Sequence, residues 1–359
     1  MTINNKRTLI DIFIELIKDP DRKSILRIFY EFSILLFVYK EIPVHYFSHF
    51  IFKKEITNFR EFLPNKFIEK KISPFFNDKS VKDVLDNKLF FEMFYKNFNI
   101  SLPEIIMFNN RNMYLIGGKS IEVKNVNDFK ALLEEMFIKY LSDDSVFIKK
   151  TNLSSSGKNI YKLFRHELKT NTKKINEIFS IVSQSEYLFQ KPLKQHPVLN
   201  ILNPSSVNTI RIDTFIDRNG EIEVISAHIR MSTNNLYVDN IGSGGCYVGI
   251  NLKTGELKKY GYSSIYVGGV KTLTEHPVTK TVFKNFSIPF FAQVIELVIK
   301  TAGFIPGLRL VGWDVAIGES GPILIEGNSD YEIGGNDAVD GGYLANPVFR
   351  KVLHEINYL

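Results

Sequence analysis

Cysteine is nearly absent from this chain: Cys246 is the only one in 359 residues. One thiol excludes an internal disulfide, and without a CxxC pair or a Cys/His cluster there is no zinc site. Both absences suit a reducing compartment, and Cys246 reads as buried filler. Long apolar runs are missing too. In the region up to Lys71 the longest uncharged stretches, Phe32 to Tyr39 and Ile42 to Phe52, fall far short of the roughly 20 residues a membrane span needs, so nothing here is expected to cross a bilayer. The opening TINNKR lacks the apolar core and small-residue cleavage site of a signal peptide, and the expected location is cytoplasmic. No repeat or low-complexity tract occurs. The lysines are scattered, without a basic cluster interleaved with aromatics, so the net charge of +6 does not read as a nucleic-acid binder; an anionic substrate or a membrane surface accounts for it as well. No Ser/His/Asp or Cys/His arrangement offers a nucleophile.

What is present is ordinary globular material, 44% hydrophobic and 23% charged, long enough for two or three subdomains. Through Lys71, apolar residues recur at helical spacing in dense groups such as Leu9-Ile10, Phe13-Ile14, Ile28-Phe29 and Leu35-Leu36. This predicts helical hairpins broken at Pro43, Pro64 and Pro74. Their aromatic density fits ordinary helix packing, or a face laid on a membrane or a partner protein. From Ser80 the texture changes. A helix over SVKDVLDNKLFFEMFYKNFN leads to an extended ISLPEIIMF, a turn at Asn109 to Asn112, a strand near Tyr114 to Ile116 and a helix from about Asn127 to Leu141. Such alternation indicates an α/β unit.

Val146 to Lys150 is a strand tipped by two lysines that runs straight into TNLSSSGKN. A loop of that kind can present N–H and hydroxyl groups to phosphate oxygens, and it equally fits a plain turn. A helix near Lys173 to Ser183 and a strand Glu186 to Gln190, stopped by Lys191-Pro192, come next. Beyond them Ile210, Ile212 and Ile216 face a core while Thr209, Arg211 and Asp213 share the other face, and the strand Glu221 to Met231 returns with His228 and Arg230 on one side. Two arginines on neighbouring strands converge on something anionic, or on the carboxylates Asp314 and Glu326 nearer the C-terminus, or form surface salt bridges. DNIGSGGCYVG is a second glycine-rich turn, residues 250 to 272 read as a β-meander, Phe290 to Ala302 as a helix, and PVFRKVLHEINYL as a closing helix with Pro347 in its first turn.

The densest signal is Val311 to Gly335, VGWDVAIGESGPILIEGNSDYEIGG. Alternation on either side of Gly318 to Pro322 predicts a β-hairpin. Pairing Ile317 with Ile323 sets Asp314 opposite Glu326, with Asn328 one step along and Leu324 on the same face. Opposed acids repel. A hard cation such as Mg²⁺, which takes oxygen ligands, would resolve the conflict; a solvated face on which the acids diverge would do so too.

In this order the pieces resemble the ATP-grasp superfamily, and within it the sugar-transfer-associated branch, over roughly Ser80 to Leu359. DNKLFFEMFYKNFNISLP resembles the family's early lysine segment, VFIKKTNLSSSGKN its phosphate-binding strand and lid, YLFQKPL its hinge, and NPSSVNTIRI and VDNIGSGG signatures of the branch itself. The resemblance implies an α+β fold of two subdomains, 80–185 and 186–359, that clamp ATP, with the helical region 1–79 outside it. It implies nucleotide contacts from Lys88, Lys149, the lid residues Ser154, Ser155, Ser156 and Gly157, the hinge residues Gln190, Lys191 and Leu193, and Asn208. Arg211, Arg230 and Asn240, with Asp239, become phosphate- and acyl-site residues, and Asp314, Glu326 and Asn328 the ligands of magnesium, with manganese as the alternative ion. The sequence departs from the family where the ribose-binding acids would stand: Gln190-Lys191 and then Lys194, Gln195 and His196 occupy that stretch. Lys158 in the lid and His228 are further candidates for chemistry.

The implied function is an ADP-forming ligase that activates a carboxylate as an acylphosphate and joins it to an amine, an amino acid and a sugar acid of capsule or O-antigen polysaccharide being the expected pair. A phosphotransferase on the same fold, or a nucleotide-binding partner of a glycosyltransferase that does no chemistry, are the alternatives. Residues 1–75 are where contact with a glycosyltransferase or, peripherally, a membrane is expected.

Overall fold

The computed structural model describes residues 9–152, 160–233, 244–263, 269, 271–330 and 332–358, with side chains from residue 14 onward. Two compact units divide the chain, Met1–Asp83 with Gln195–Leu359, and Val84–Lys194.

The unit Val84–Lys194 is built on β1 (Ile105–Asn110), β2 (Met113–Ile116), β3 (Lys119–Glu122), β4 (Ser145–Lys150), β5 (Ile160–Phe164) and β6 (Glu186–Gln190). All pairs are antiparallel, in the order β3-β2-β1-β6-β4-β5. Helices Val126–Lys139 and Thr172–Val182 supply its core, with Phe129, Leu133, Met136 and Phe137 from the first and Ile175, Ile178 and Val182 from the second among Met107, Tyr114, Ile148 and Phe189. These positions recur every three or four residues, which keeps one stripe of each helix inward. Each helix starts at an asparagine cap: Asn125 accepts from the Asn127 and Asp128 N–H groups, Asn171 from that of Lys174. The strands missed by hydrophobic pattern are β3 and β5, the two edges of the sheet, where half-exposed residues blur the alternation. The helix expected over residues 80–99 is interrupted at Asn87, whose side chain accepts from the Leu89 and Phe90 N–H groups and starts Lys88–Tyr95 afresh.

The larger unit holds β7 (Thr209–Ile216), β8 (Ile222–Met231), β9 (Cys246–Ile250), β10 (Leu257–Ser263), β11 (Thr272–Leu273), β12 (Leu310–Gly318) and β13 (Gly321–Asn328). They form one antiparallel sheet ordered β11-β10-β9-β8-β7-β12-β13. Antiparallel pairing in both sheets makes the fold α+β; the strand–helix alternation after Ser80 builds no parallel sheet. Helix Phe291–Ala302 packs on this sheet through Phe291, Val294, Val298 and Ala302.

Residues of the N-terminal helical region are part of the same core. Leu63, Ile68, Ile72 and Phe76 cluster with Phe215, Leu310, Tyr343 and Phe349, and Tyr46, Phe50 and Phe59 with Tyr247 and Tyr262. The boundary between units therefore falls at Asp83, with the helices on the larger unit's side. Three expectations change here. After helices Leu9–Lys18 and Ile25–Tyr39 the region continues as short turns and one unbroken helical stretch from Asn65 to Phe76 rather than as hairpins. Pro74 breaks nothing: Asn65–Phe67, a π-helical turn Ile68–Ile72 and Ser73–Phe76 follow one another without a gap. Phe215, not Ile216, is the fully buried residue at the end of β7, because Phe76 of the N-terminal region meets its ring edge-on at 5.3 Å.

Candidate active site

The site residues of the larger unit lie in rows across the sheet. Glu326 on β13 is opposite Asp314 on β12, Asp314 opposite Arg211 on β7, and Arg211 opposite His228 on β8. Directly opposed residues share a face, so four polar side chains stand side by side. The next row on that face is Asn328, Gly312, Asp213 and Ser226. The hairpin reaches this arrangement by a different register from the one its alternation suggests. Ile317 pairs with Pro322 and Val315 with Leu324, and a shift between Asp314 and Val315 returns Asp314 to Glu326. Ile325 is the extra residue of that β-bulge. The bulge also turns Leu324 into the core, where it is fully buried, instead of onto the face of Glu326.

Asp314 is the centre of charge. Arg211 grips it with two bonds, Nε to Oδ1 at 2.6 Å and Nη2 to Oδ2 at 3.0 Å, and Nη2 of Arg230 lies 2.9 Å from Oδ2. Thr209 Oγ1 accepts from Nε and Nη2 of Arg230 at 3.1 and 2.8 Å, which fixes that guanidinium in turn. Burial alone would raise the Asp314 carboxyl, yet Arg211 and Arg230 outweigh it and hold Asp314 well below the usual carboxylate range. Burial likewise opposes the charge of Arg211, and Asp314 more than restores it. The two arginines of the sequence reading thus meet on a predicted metal ligand, buried, rather than at the surface.

Behind this row runs a second network. His228 Nδ1 lies 2.5 Å from Asn336 Oδ1, an oxygen that only accepts, so the ring donates there. Asn336 Nδ2 donates to Asp213 Oδ2 at 2.6 Å, and the Tyr343 hydroxyl donates to the same oxygen. Burial pushes His228 down to about 3 and Asp213 up to about 7. His228 is therefore neutral at physiological pH. A Cβ on Gly335 would sit 2.7 Å from His228 Cε1, so only glycine lets the helix Gly334–Asp340 approach the ring. Asn336 and Tyr343 were not singled out from sequence. The available signal was the pair of glycine doublets around NDAVD, of which Gly342 has φ +106° and no room for a Cβ beside the Glu61 backbone.

The model of the family described as sugar-transfer associated ATP-grasp matches residues 68–348. The chain belongs to this family. Its match begins within the N-terminal helices, ahead of the Ser80 start suggested by motif order. Comparison with curated proteins finds no match. Among solved structures, a D-alanyl-alanine synthetase A from Vibrio cholerae is similar at 12% identity over 76% of this chain, TM-score 0.45. An N5-carboxyaminoimidazole synthetase from Staphylococcus aureus (13%, 72%, 0.37) and a biotin carboxylase from Campylobacter jejuni (9%, 77%, 0.43) are similar as well. The chain spans 66%, 52% and 47% of these three, less than two thirds of each.

In the smaller unit of this ATP-grasp protein, two nucleotide candidates meet. Lys149 on β4 donates through Nζ to Gln190 Oε1 at 2.5 Å, across the pairing of β4 with β6. Lys88 opens the helix Lys88–Tyr95, its N–H donating to Thr151 O at 2.7 Å. Lys191 donates its N–H to Glu104 O, and its Nζ lies 3.5 Å from the Glu104 carboxylate. Leu193 is half-buried. The lid residues Ser154, Ser155, Ser156, Gly157 and Lys158 lie outside the described residues, as do Asp239 and Asn240.

Asn208, in the larger unit, is fully buried, and its side chain is used within its own loop: Nδ2 donates to the Leu199 and Asn203 carbonyls, and Oδ1 accepts from Asn203 Nδ2.

For a divalent ion the donor chemistry fits. Asp314, Glu326 and Asn328 offer hard oxygens on one face; Oδ2 of Asp314 takes a guanidinium bond from each arginine while Oδ1 takes only one and keeps a lone pair, and Asn328 turns its NH₂ to Gly312 O at 3.3 Å, leaving Oδ1. Among the described residues no helix is long and apolar enough to cross a membrane.

Proposed function

We infer that this protein is an ATP- and magnesium-dependent, ADP-forming ligase that activates a carboxylate as its acylphosphate and joins it to an amine. The observation that carries the reading is the row Glu326, Asp314, Arg211 on adjacent strands in a chain of the ATP-grasp family. ATP supplies the phosphoryl group and Mg²⁺ offsets its charge when bound. Asp314, Glu326 and Asn328 would hold the ion, and Lys88, Lys149, Gln190, Lys191 and Leu193 the nucleotide, with Ser154 to Gly157 closing over the phosphates.

Arg211 and Arg230 are held rigidly by Asp314 and Thr209, so their charge is in place before phosphate charge develops and costs no reorganisation when it does. Asn240 would share the acyl site with them. No side-chain nucleophile is required, because the amine of the substrate attacks the activated carbonyl carbon and phosphate leaves. His228, neutral and bonded to Asn336, orients the row from behind. The family's association with sugar transfer favours a sugar acid and an amino acid as the pair joined, in surface-polysaccharide synthesis.

Incubation with ATP, Mg²⁺ and pooled uronic acids and amino acids, followed by mass spectrometry and ADP release, tests this. A condensation product whose formation needs both partners is expected. Phosphorylated product without an amide would make the protein a phosphotransferase, and nucleotide binding without turnover would leave it a non-catalytic partner protein.

A further inference from the structure

The helix Gly334–Asp340 meets two histidines with two successive glycines. A Cβ on Gly334 would stand 2.9 Å from His49 Nε2, and one on Gly335 2.7 Å from His228 Cε1, so the start of the helix is pinched between both rings. The next two residues divide in the same way. Asn336 turns to the site network, accepting from His228 Nδ1 and donating to Asp213 Oδ2. Asp337 turns to the N-terminal region: Oδ2 meets His49 Nδ1 at 2.7 Å and accepts from the Leu63 N–H at 3.4 Å, while Oδ1 accepts from the Tyr343 N–H at 2.7 Å. Both oxygens thus accept from backbone N–H groups, so the ring nitrogen facing them is a donor as well. The two side chains are buried, which makes their bond stronger than one in water. Tyr343 closes the circuit, because its hydroxyl donates to Asp213 Oδ2.

A second route starts at the neighbouring residue and ends on the same ring. Phe50 meets Tyr262 at 4.8 Å between ring centroids, Tyr262 meets Tyr247 at 5.8 Å, and Tyr247 meets His228 at 5.5 Å. On the sheet His228 is opposite Arg211 and Tyr247 opposite Arg230, so these two rings flank the two guanidinium groups that grip Asp314. We propose that His49 is a positioning residue for the row: its Nδ1–H, acting through Asp337 and the helix Gly334–Asp340, fixes the ring of His228 and with it the arginines. The inference rests on the ligase reading of that row. It gives the N-terminal region a part in turnover besides its share of the core, because a group that stabilises developing charge must be held in place before the charge appears.

His49→Asn and His49→Leu lose the same ring and differ in one group. The asparagine amide nitrogen sits where Nδ1 does, two bonds beyond Cβ, and still donates; leucine has a methyl there. In ADP release, leucine should lower kcat about tenfold and asparagine less than about threefold, with KM for ATP within about twofold in both. In spectra of the full chain carrying nitrogen-15-labelled histidine, the His228 signals, identified by their loss in His228→Gln, should move in His49→Leu and stay in place in His49→Asn. Equal kcat in the two variants, or His228 signals that respond to neither, would overturn the proposal and leave the ring as packing alone. If leucine does not fold, His49→Phe, which keeps a ring without the donor, takes its place; should neither fold, the bond serves folding and the proposal falls. A wild type without turnover would sink the ligase reading instead, and the His228 signals would still decide whether His49 fixes that ring.

Discussion

Two buried polar clusters in the same unit behave differently. In the row on the sheet, both oxygens of Asp314 accept from guanidinium groups and Thr209 holds Arg230 in place. In the other, His45 touches the rings of Tyr39 and His49, and His49 Nδ1 meets Asp337 Oδ2 at 2.7 Å, yet both nitrogens of His45, Nε2 of His49 and Oδ1 of Asn65 have no partner among the described residues. The first cluster concentrates paired, ionised groups at a rigid surface, which is what stabilising a charged transition state requires. The unpartnered atoms of the second carry uncompensated desolvation, and their effect falls on stability and its pH dependence. The difference lies in the charged row alone, since His228 Nε2 and Asp213 Oδ1 beside and behind it also have no partner among the described residues.

The largest contrast should come from Glu326→Gln, which removes one charge and little volume: turnover falls about 1000-fold in an ADP-release assay while the unfolding midpoint stays within experimental error. Undiminished activity would place the chemistry elsewhere. Arg211→Met leaves Asp314 buried with one cation instead of two, and should cost about 3–5 kcal/mol by urea unfolding as well as turnover. If only turnover falls, the pair is not part of the stability of the sheet. Gly335→Ala forces a Cβ against His228 and should cost about 1–3 kcal/mol, with a drop in turnover that reports how far the rear network positions the row.

The smallest effect belongs to the second cluster. Burial pushes His45 down to about 3, so the unfolded chain, whose histidine titrates near 6.5, binds a proton that the folded chain refuses. Stability is then fully present above about 6.5 and declines as pH falls toward 3, by about 1.4 kcal/mol per pH unit from this residue. His45→Phe should leave stability at pH 7.5 equal or slightly higher and flatten the acid limb by that amount, read as unfolding midpoints across pH. An unchanged limb would mean that the ring is hydrated in solution.

Much of the candidate site's geometry was legible because it rests on local pattern. The alternation of β12 and β13 around a glycine-rich turn brings Asp314 to Glu326, and two-residue periodicity put Arg211 and Asp213 on one face of β7. The register itself was not legible. A bulge at Ile325 depends on how the hairpin seats in a sheet already holding β7, and nothing in ILIEGN marks it. Nor could the sequence show that Arg211 and Arg230 close on the same carboxylate, since β12, which carries it, lies far along the chain from the consecutive strands β7 and β8. Asn208, which motif likeness marked for a ligand, makes side-chain hydrogen bonds within its own loop, a use the sequence did not show.

By itself the sequence determined which residues carry oxygen donors and cations, the strands and helices on which they ride, and membership of a family whose motifs run in that order. Tertiary structure alone decided that Asn336 and Tyr343 support the row through His228 and Asp213, that residues 63–76 complete the core around Phe215, and that Glu31 turns inward and leaves an apolar helix face in solvent. The reason is physical. Periodicity and turn chemistry act over a few residues and are written locally, whereas burial and ion pairing take their energy from neighbours that only the packed chain supplies.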